Sequence, residues 1–128
     1  MRHYRVTISD VIEAHAKALE YGGLAGIRDS SLLASAIGRP YIGYNRRIYS
    51  KVAALAQSLA TNHGFVDGNK RTAFLIVDLF LNRSGYRLRG IRRSGLRELE
   101  DLILDIVEHH LSFEAISEWF EERVERVR

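Results

Sequence analysis

The chain has 128 residues, 46% of them hydrophobic, which is ample for one compact core and too little for two. With no cysteine and one proline it has no thiolate to ligate zinc or attack a substrate, and no disulfide-stapled secreted scaffold is expected. A net charge of +3 and an isoelectric point of about 9.4 are mildly basic. A dedicated nucleic-acid binder would carry a lysine/arginine stripe, so direct nucleic-acid binding is not expected. Met1 leads into Arg2-His3-Tyr4-Arg5 with no apolar leader, and Ala73–Leu81, the most apolar stretch, is far shorter than the ~20 residues of a bilayer span. The expectation is a soluble cytoplasmic protein with no membrane partner.

Helix starts and stops punctuate the whole chain, while strand signals are nearly absent. Thr7 and Ser9 with Asp10 cap a first helix, whose stripe Val11, Ile12, His15, Ala18 and Leu19 ends at Gly22-Gly23. Residues 24–28 read as a loop. Asp29 or Ser30 caps a short helix through Leu32, Leu33, Ala36 and Ile37, closed by Gly38 and Pro40. Residues 41–49, aromatic and glycine-containing, read as an ordered loop. Ser50 is expected to cap a third helix ending near His63. A fourth runs from about Lys70 to Ser84 and stops at Gly85. Its apolar residues cover nearly every face, as in a central helix wrapped by others. Residues 86–89 are short enough to be extended. A fifth helix spans about Ser94 to His109. Ser112 caps a sixth, with Leu111 and Ile116 spaced as a hydrophobic staple and Trp119, Phe120 and Val124 on its buried side. The fold class is all-α, one domain over residues 1–128 with about six helices around a central buried one.

One segment breaks a local rule. In His63-Gly64-Phe65-Val66-Asp67-Gly68-Asn69-Lys70-Arg71, two cations occupy the first turn of a helix, where the dipole disfavours them by ~0.3–1 kcal/mol each. The first-turn N–H groups are also unpaired, so loop and cations together would attract an anion such as phosphate. Gly68 gives the backbone room to approach a ligand. Asp67 is a hard oxygen ligand of the kind Mg²⁺ takes alongside phosphates. Asn69 can hold the loop or contact a phosphate oxygen, and His63 is placed to act as a general base. Bland readings stand beside these. A histidine at a helix end is a common dipole partner, Asp-Gly is an ordinary turn, and Lys-Arg is often plain surface charge. The spacing is not that of a Walker A loop, since Asn69 separates Gly68 from Lys70.

The same string resembles the signature of the Fic/Doc superfamily, His-x-Phe-x-Asp/Glu-Gly-Asn-Gly-Arg with a further arginine three residues on. Lys70 stands where the Fic branch has its second glycine, and Phe74 where the later arginine would fall. Asn-Lys-Arg is how the death-on-curing (Doc) toxin branch reads. Residues 21–29, 33–40 and 79–86 resemble that family too, so the likeness covers most of the chain. It implies the all-α Fic fold and a protein kinase that uses ATP and Mg²⁺. Such a kinase phosphorylates a hydroxyl of a translation factor of the elongation factor Tu type and arrests translation. His63 would be the base, Asp67 the metal ligand, and Gly68, Asn69, Lys70 and Arg71 the nucleotide contacts, with Phe65 anchoring the loop.

The inhibitory pattern of many Fic proteins, Ser/Thr-x-x-x-Glu-Gly/Asn, has no match here. The nearest strings start at Ser9, Ser94 and Ser117 and lack the final residue. A separate antitoxin is therefore the expected partner, binding near the site through part of the cluster Arg87, Arg89, Arg92, Arg93 and Arg97. That cluster is otherwise a solvated face. Two rivals remain: transfer of AMP by the same residues, and a non-catalytic basic binding domain. A metal hydrolase is weaker, because Glu108-His109-His110 lacks the i, i+4 spacing of two ligands on one helix face.

Overall fold

The chain is described here by a computed structural model covering residues 3–42, 46–89 and 93–127, without the side chains of 93–96. Six helices dominate it: α1 (Ile8–Ala18), α2 (Ser30–Gly38), α3 (Ile48–Thr61), α4 (Asn69–Arg83), α5 (Arg93–His109) and α6 (Phe113–Arg123). Two three-residue strands, β1 (Tyr86–Leu88) and β2 (Val124–Arg126), pair antiparallel with Tyr86 opposite Arg126. The all-α expectation holds, with that ribbon added.

Local chemistry explains the starts of three of these helices. At α1, the Thr7 hydroxyl accepts from the Asp10 N–H while the Asp10 carboxylate accepts from the Thr7 N–H, a reciprocal capping box. The Asp29 carboxylate accepts from the Ser31 and Leu32 amides to start α2, and the Ser112 hydroxyl accepts from the Ala115 N–H to start α6. α3 has no such cap. It begins at Ile48 with Arg47 at the cap and no side-chain bond, so Ser50 lies inside the helix. Burial of Ile48 supplies what a cap would have given. α2 ends at Gly38, but not through a left-handed glycine cap. The Gly38 φ of −82° is ordinary, and the chain turns on through Arg39–Tyr41 as a 3₁₀ turn with Pro40 buried.

Buried side chains from all six helices form one hydrophobic cluster. Its centre is shared. The run Val52–Ala56, with Leu59 and Ala60 of α3, is as buried as Ala73, Ile76, Val77 and Phe80 of α4. Phe74 and Leu75 of α4 are only half-buried, so that helix keeps one open face. Leu99, Leu102, Ile103 and Ile106 close the core from α5, and Ile116 and Phe120 from α6. Val124, expected to continue α6, instead begins β2 and pairs with Leu88. The antiparallel ribbon draws the end of the chain onto the residues following α4, and the Val127 N–H donates to the Gly85 carbonyl at 2.9 Å.

Candidate active site

The link between α3 and α4 is short and held at nearly every residue. Asn62 closes α3 with its N–H on the Ser58 carbonyl, and His63 then adopts φ 52°. Glycine or asparagine usually takes this left-handed position after a helix; a histidine there accepts local strain and stands exposed at the rim. The Gly64 carbonyl accepts from the Arg28 and Asp29 amides at 2.8 and 3.0 Å. Phe65 forms an isolated bridge with Ile27 and is buried, and the Val66 N–H donates to the Gly26 carbonyl at 3.0 Å. Residues 22–29, of which 24–28 read as a loop in sequence, therefore form a strap laid antiparallel along the motif.

Gly68 opens α4 as its N-cap at φ 78°, in the left-handed region, with no side-chain cap. The first-turn amides of α4 thus have no capping side chain, as an anion site requires. The Thr72 hydroxyl donates to the Gly68 carbonyl at 2.7 Å and steadies that turn. The Asn69 side chain is engaged at both ends: its Oδ1 accepts from the Phe65 N–H at 3.1 Å, and its Nδ2 donates to the Phe65 carbonyl at 3.0 Å. Of the two roles open to Asn69 in sequence, this geometry is the loop clamp. One N–H of its Nδ2 stays free of these two bonds. Arg71 reaches the Gly22 carbonyl at 3.4 Å and lies 5.5 Å from the centre of the Tyr21 ring. Among the described residues Lys70 forms no ion pair, so its charge adds uncompensated to the positive end of α4.

Asp67 faces solvent. The Gly68 N–H at 2.8 Å, the Leu24 N–H at 3.2 Å and the nearby Arg71 hold its carboxyl below the usual aspartate value, and it is ionised at neutral pH. Among the described residues no group of three or more His, Asp or Glu side chains converges as a metal cage. One exposed carboxylate beside an anion site fits Mg²⁺ that arrives on a polyphosphate, which keeps most of its ligands as phosphate and water. It does not fit a resident all-protein metal. His63, Asp67, Gly68, Asn69, Lys70 and Arg71 all line one cavity of about 510 Å³, closed on the far side by Tyr21–Gly23, Ala60 and Val107. Every site residue expected from the sequence therefore meets in one place.

Across Lys70 and Arg71 lies a second, more apolar cleft of about 570 Å³ between α4 and α5, lined by Phe74, Leu75, Ile103 and Leu104 with Glu100 at its edge. Phe74 thus presents carbon at the position of the later Fic arginine. Tyr21, Leu24, Ile27 and Val66 are large apolar side chains left exposed on the strap and the loop.

Arg87 and Arg89 of the arginine cluster lie elsewhere. Arg87 and Arg89 follow the C-terminal end of α4, a 15-residue helix ~22 Å long with the loop at its other end, and both pair with Glu125 at 2.9 and 3.4 Å. Arg92 and the side chain of Arg93 lie outside the described residues. Arg87 and Arg89 thus lie at the end of α4 away from the loop, while Arg97 is exposed on α5. His109 and His110 are exposed, and His3 packs edge-on against Tyr86. The histidine that sequence reasoning passed over is His15, whose Nε2 lies 2.8 Å from the Asp67 carbonyl oxygen. Its place on the buried stripe of α1 was the only signal.

The family model for "Fic/DOC family" matches residues 5–81, spanning the strap, the loop and most of α4. The chain belongs to the Fic/DOC family. Its relatives place it on the Doc side. It is 35% identical over 107 residues to Toxin Doc of Mycolicibacterium smegmatis, an alignment covering 80% of this chain and 81% of that protein. It is 30% identical over 126 residues, 92% of each chain, to Protein kinase doc of Escherichia phage P1. Among the described residues no helix is long and apolar enough to cross a membrane.

Proposed function

We propose that this protein is the toxin of a toxin–antitoxin pair, acting as an ATP-dependent protein kinase on a translation factor of the elongation factor Tu type. The observation that carries the reading is the convergence of an exposed histidine, a carboxylate and two cations on the uncapped start of α4. Phosphoryl transfer asks a protein mainly for positioning and for cationic stabilisation of the charge spread over the transferred group, and this site offers both.

In the proposed step the target hydroxyl attacks the γ-phosphorus of ATP while His63 accepts its proton. The new bond is O–Pγ, the bond from Pγ to the bridging oxygen breaks, and ADP leaves with that oxygen. The first-turn amides of α4, Lys70 and Arg71 bind the phosphates, and Asn69 keeps the loop in shape. Asp67 would hold Mg²⁺, which supplies further charge neutralisation when bound. A protein target accords with the exposed Tyr21, Leu24, Ile27 and Val66 beside the cavity, an apolar rim that a small polar substrate would leave wet. The name of the phage relative, a protein kinase, supports the choice of bond, as do Lys70 and the carbon surface of Phe74 in place of the Fic glycine and arginine.

AMP transfer by the same residues is the second reading. Intact-mass measurement of elongation factor Tu after incubation with this protein, ATP and Mg²⁺ separates the two, since an adenylyl group is much heavier than a phosphoryl group. A non-catalytic domain would show neither adduct. It would also gain no stability from nucleotide, whereas ATP at 100 times its dissociation constant should stabilise a true binder by about 2.7 kcal/mol.

A further inference from the structure

The phosphate loop rests on a side chain to which the chemistry above gives no task. His15, in the last turn of α1, is 7% exposed, and its ring lies parallel to that of Phe65, with centroids 3.6 Å apart and planes 4° apart. Its Nε2 is 2.8 Å from the Asp67 carbonyl oxygen. A carbonyl can only accept, so Nε2 carries the proton and donates. A Cβ at Gly68 would sit 3.5 Å from both Cδ2 and Nε2 of the same ring. The imidazole thus meets the loop at the anchoring ring and at the carbonyl of the carboxylate-bearing residue, and it flanks the left-handed turn that opens α4.

We propose that His15 is a positioning residue of the phosphate loop. By stacking on Phe65 and donating to the Asp67 carbonyl it fixes the peptide between Asp67 and Gly68. It thereby sets the direction of the Asp67 carboxylate and of the first-turn amides of α4. Any buried imidazole N–H needs an acceptor, and what distinguishes this one is which acceptor it takes. Here the donor reaches across 52 positions of sequence to backbone inside the candidate site. Phenylalanine supplies the ring without the donor and glutamine a donor without the ring, so the two substitutions separate the contributions, and the donor to the Asp67 carbonyl is the larger one.

The inference rests on the kinase reading, so its test has one readout that depends on activity and one that does not. His15→Phe keeps the ring and removes the donor, while His15→Gln keeps a donor near the Nε2 position and loses the stack. The expected result is a folded His15→Phe protein whose kcat falls roughly 10- to 100-fold with a smaller change in nucleotide KM, because a displaced loop mispositions the reacting groups. His15→Gln should recover most of the lost rate. The amide resonance of Gly68, which shares its peptide with the Asp67 carbonyl, should move in His15→Phe and return towards wild type in His15→Gln. Wild-type kcat and an unmoved Gly68 resonance in His15→Phe would overturn the proposal, as would a rate loss that only tracks lost stability without rescue by glutamine. If wild-type protein transfers nothing, the kinase reading fails and the Gly68 resonance alone decides the role of His15. If the phenylalanine variant does not fold, His15→Gln read against His15→Asn, which places its amide nearer Nδ1, gives the same decision.

Discussion

Gly64→Ala should be among the most damaging single-methyl additions in this protein. A Cβ there would lie 2.3 Å from Cδ2 and 2.7 Å from Cγ of Leu33, where carbon atoms settle at ~3.5–4.0 Å. Neither side can yield cheaply. Leu33 is 3% exposed within the core, and the Gly64 carbonyl is tied to the Arg28 and Asp29 amides, the second belonging to the cap of α2. Overpacking of this kind costs ~1–3 kcal/mol, and loss of one loop hydrogen bond adds about 1 kcal/mol. For a chain of this size that lowers the thermal midpoint by about 5–15 °C. Urea denaturation of wild type, Gly64→Ala, Leu33→Ala and the double variant gives the cycle. Leu33→Ala alone should cost ~2–5 kcal/mol, and the double variant should fall short of the sum by at least about 1 kcal/mol, because the new methyl occupies the vacated space. A neutral Gly64→Ala, or strict additivity, would refute the close approach of the loop to α2.

Three further outcomes follow from the same geometry. His63→Ala should lower the transfer rate on the order of 10²–10⁴-fold without altering the unfolding midpoint, since the side chain is exposed; an unchanged rate removes it as the base. Asn69→Ala should cost ~1–3 kcal/mol and raise hydrogen exchange of the Phe65 amide, because both loop bonds of Asn69 end on the Phe65 backbone. The third outcome concerns pH. Burial raises the pKa of Asp10, but hydrogen bonds from the Tyr4 hydroxyl at 2.6 Å and the Thr7 N–H at 2.9 Å, with Arg83 nearby, outweigh it and leave a depressed value. A folded pKa below the unfolded value of about 3.9 means the stabilisation is present above that pH and lost as pH falls through the lower folded value. The stability gap between wild type and Asp10→Asn should therefore hold from pH 7 to 5 and shrink below pH 4, and a gap independent of pH would contradict it.

What could be read from the sequence was whatever is encoded locally. Thr7 with Asp10, Asp29 and Ser112 mark their helix starts because a cap involves neighbours two or three residues apart. The loop His63–Arg71 stood out because cations at a helix start violate a local rule, and its residues do converge on one cavity. What escaped depends on distant parts of the chain. Val124 sits four residues after the buried Phe120 and so reads as helix, but pairing with β1 pulls it into a strand. Ser50 reads as a cap, yet α3 starts two residues earlier because Ile48 finds the core. The strap of residues 22–29 gains its structure only against the motif, and His15 gains its partner only when α1 packs beneath Asp67. The Asn69 clamp was one of two roles the sequence left open, and it forms because Phe65 lies within reach of the side chain.

The central claim is that this site moves the terminal phosphoryl group of ATP to a protein hydroxyl, and paired labelling tests it most directly. This protein is incubated with Mg²⁺, elongation factor Tu and ATP labelled at either the γ- or the α-phosphate, with His63→Ala alongside. The account predicts γ-label on the target, no α-label, and loss of transfer in His63→Ala. Label from the α-phosphate on the target would contradict it and make the protein an AMP transferase despite Lys70 and Phe74.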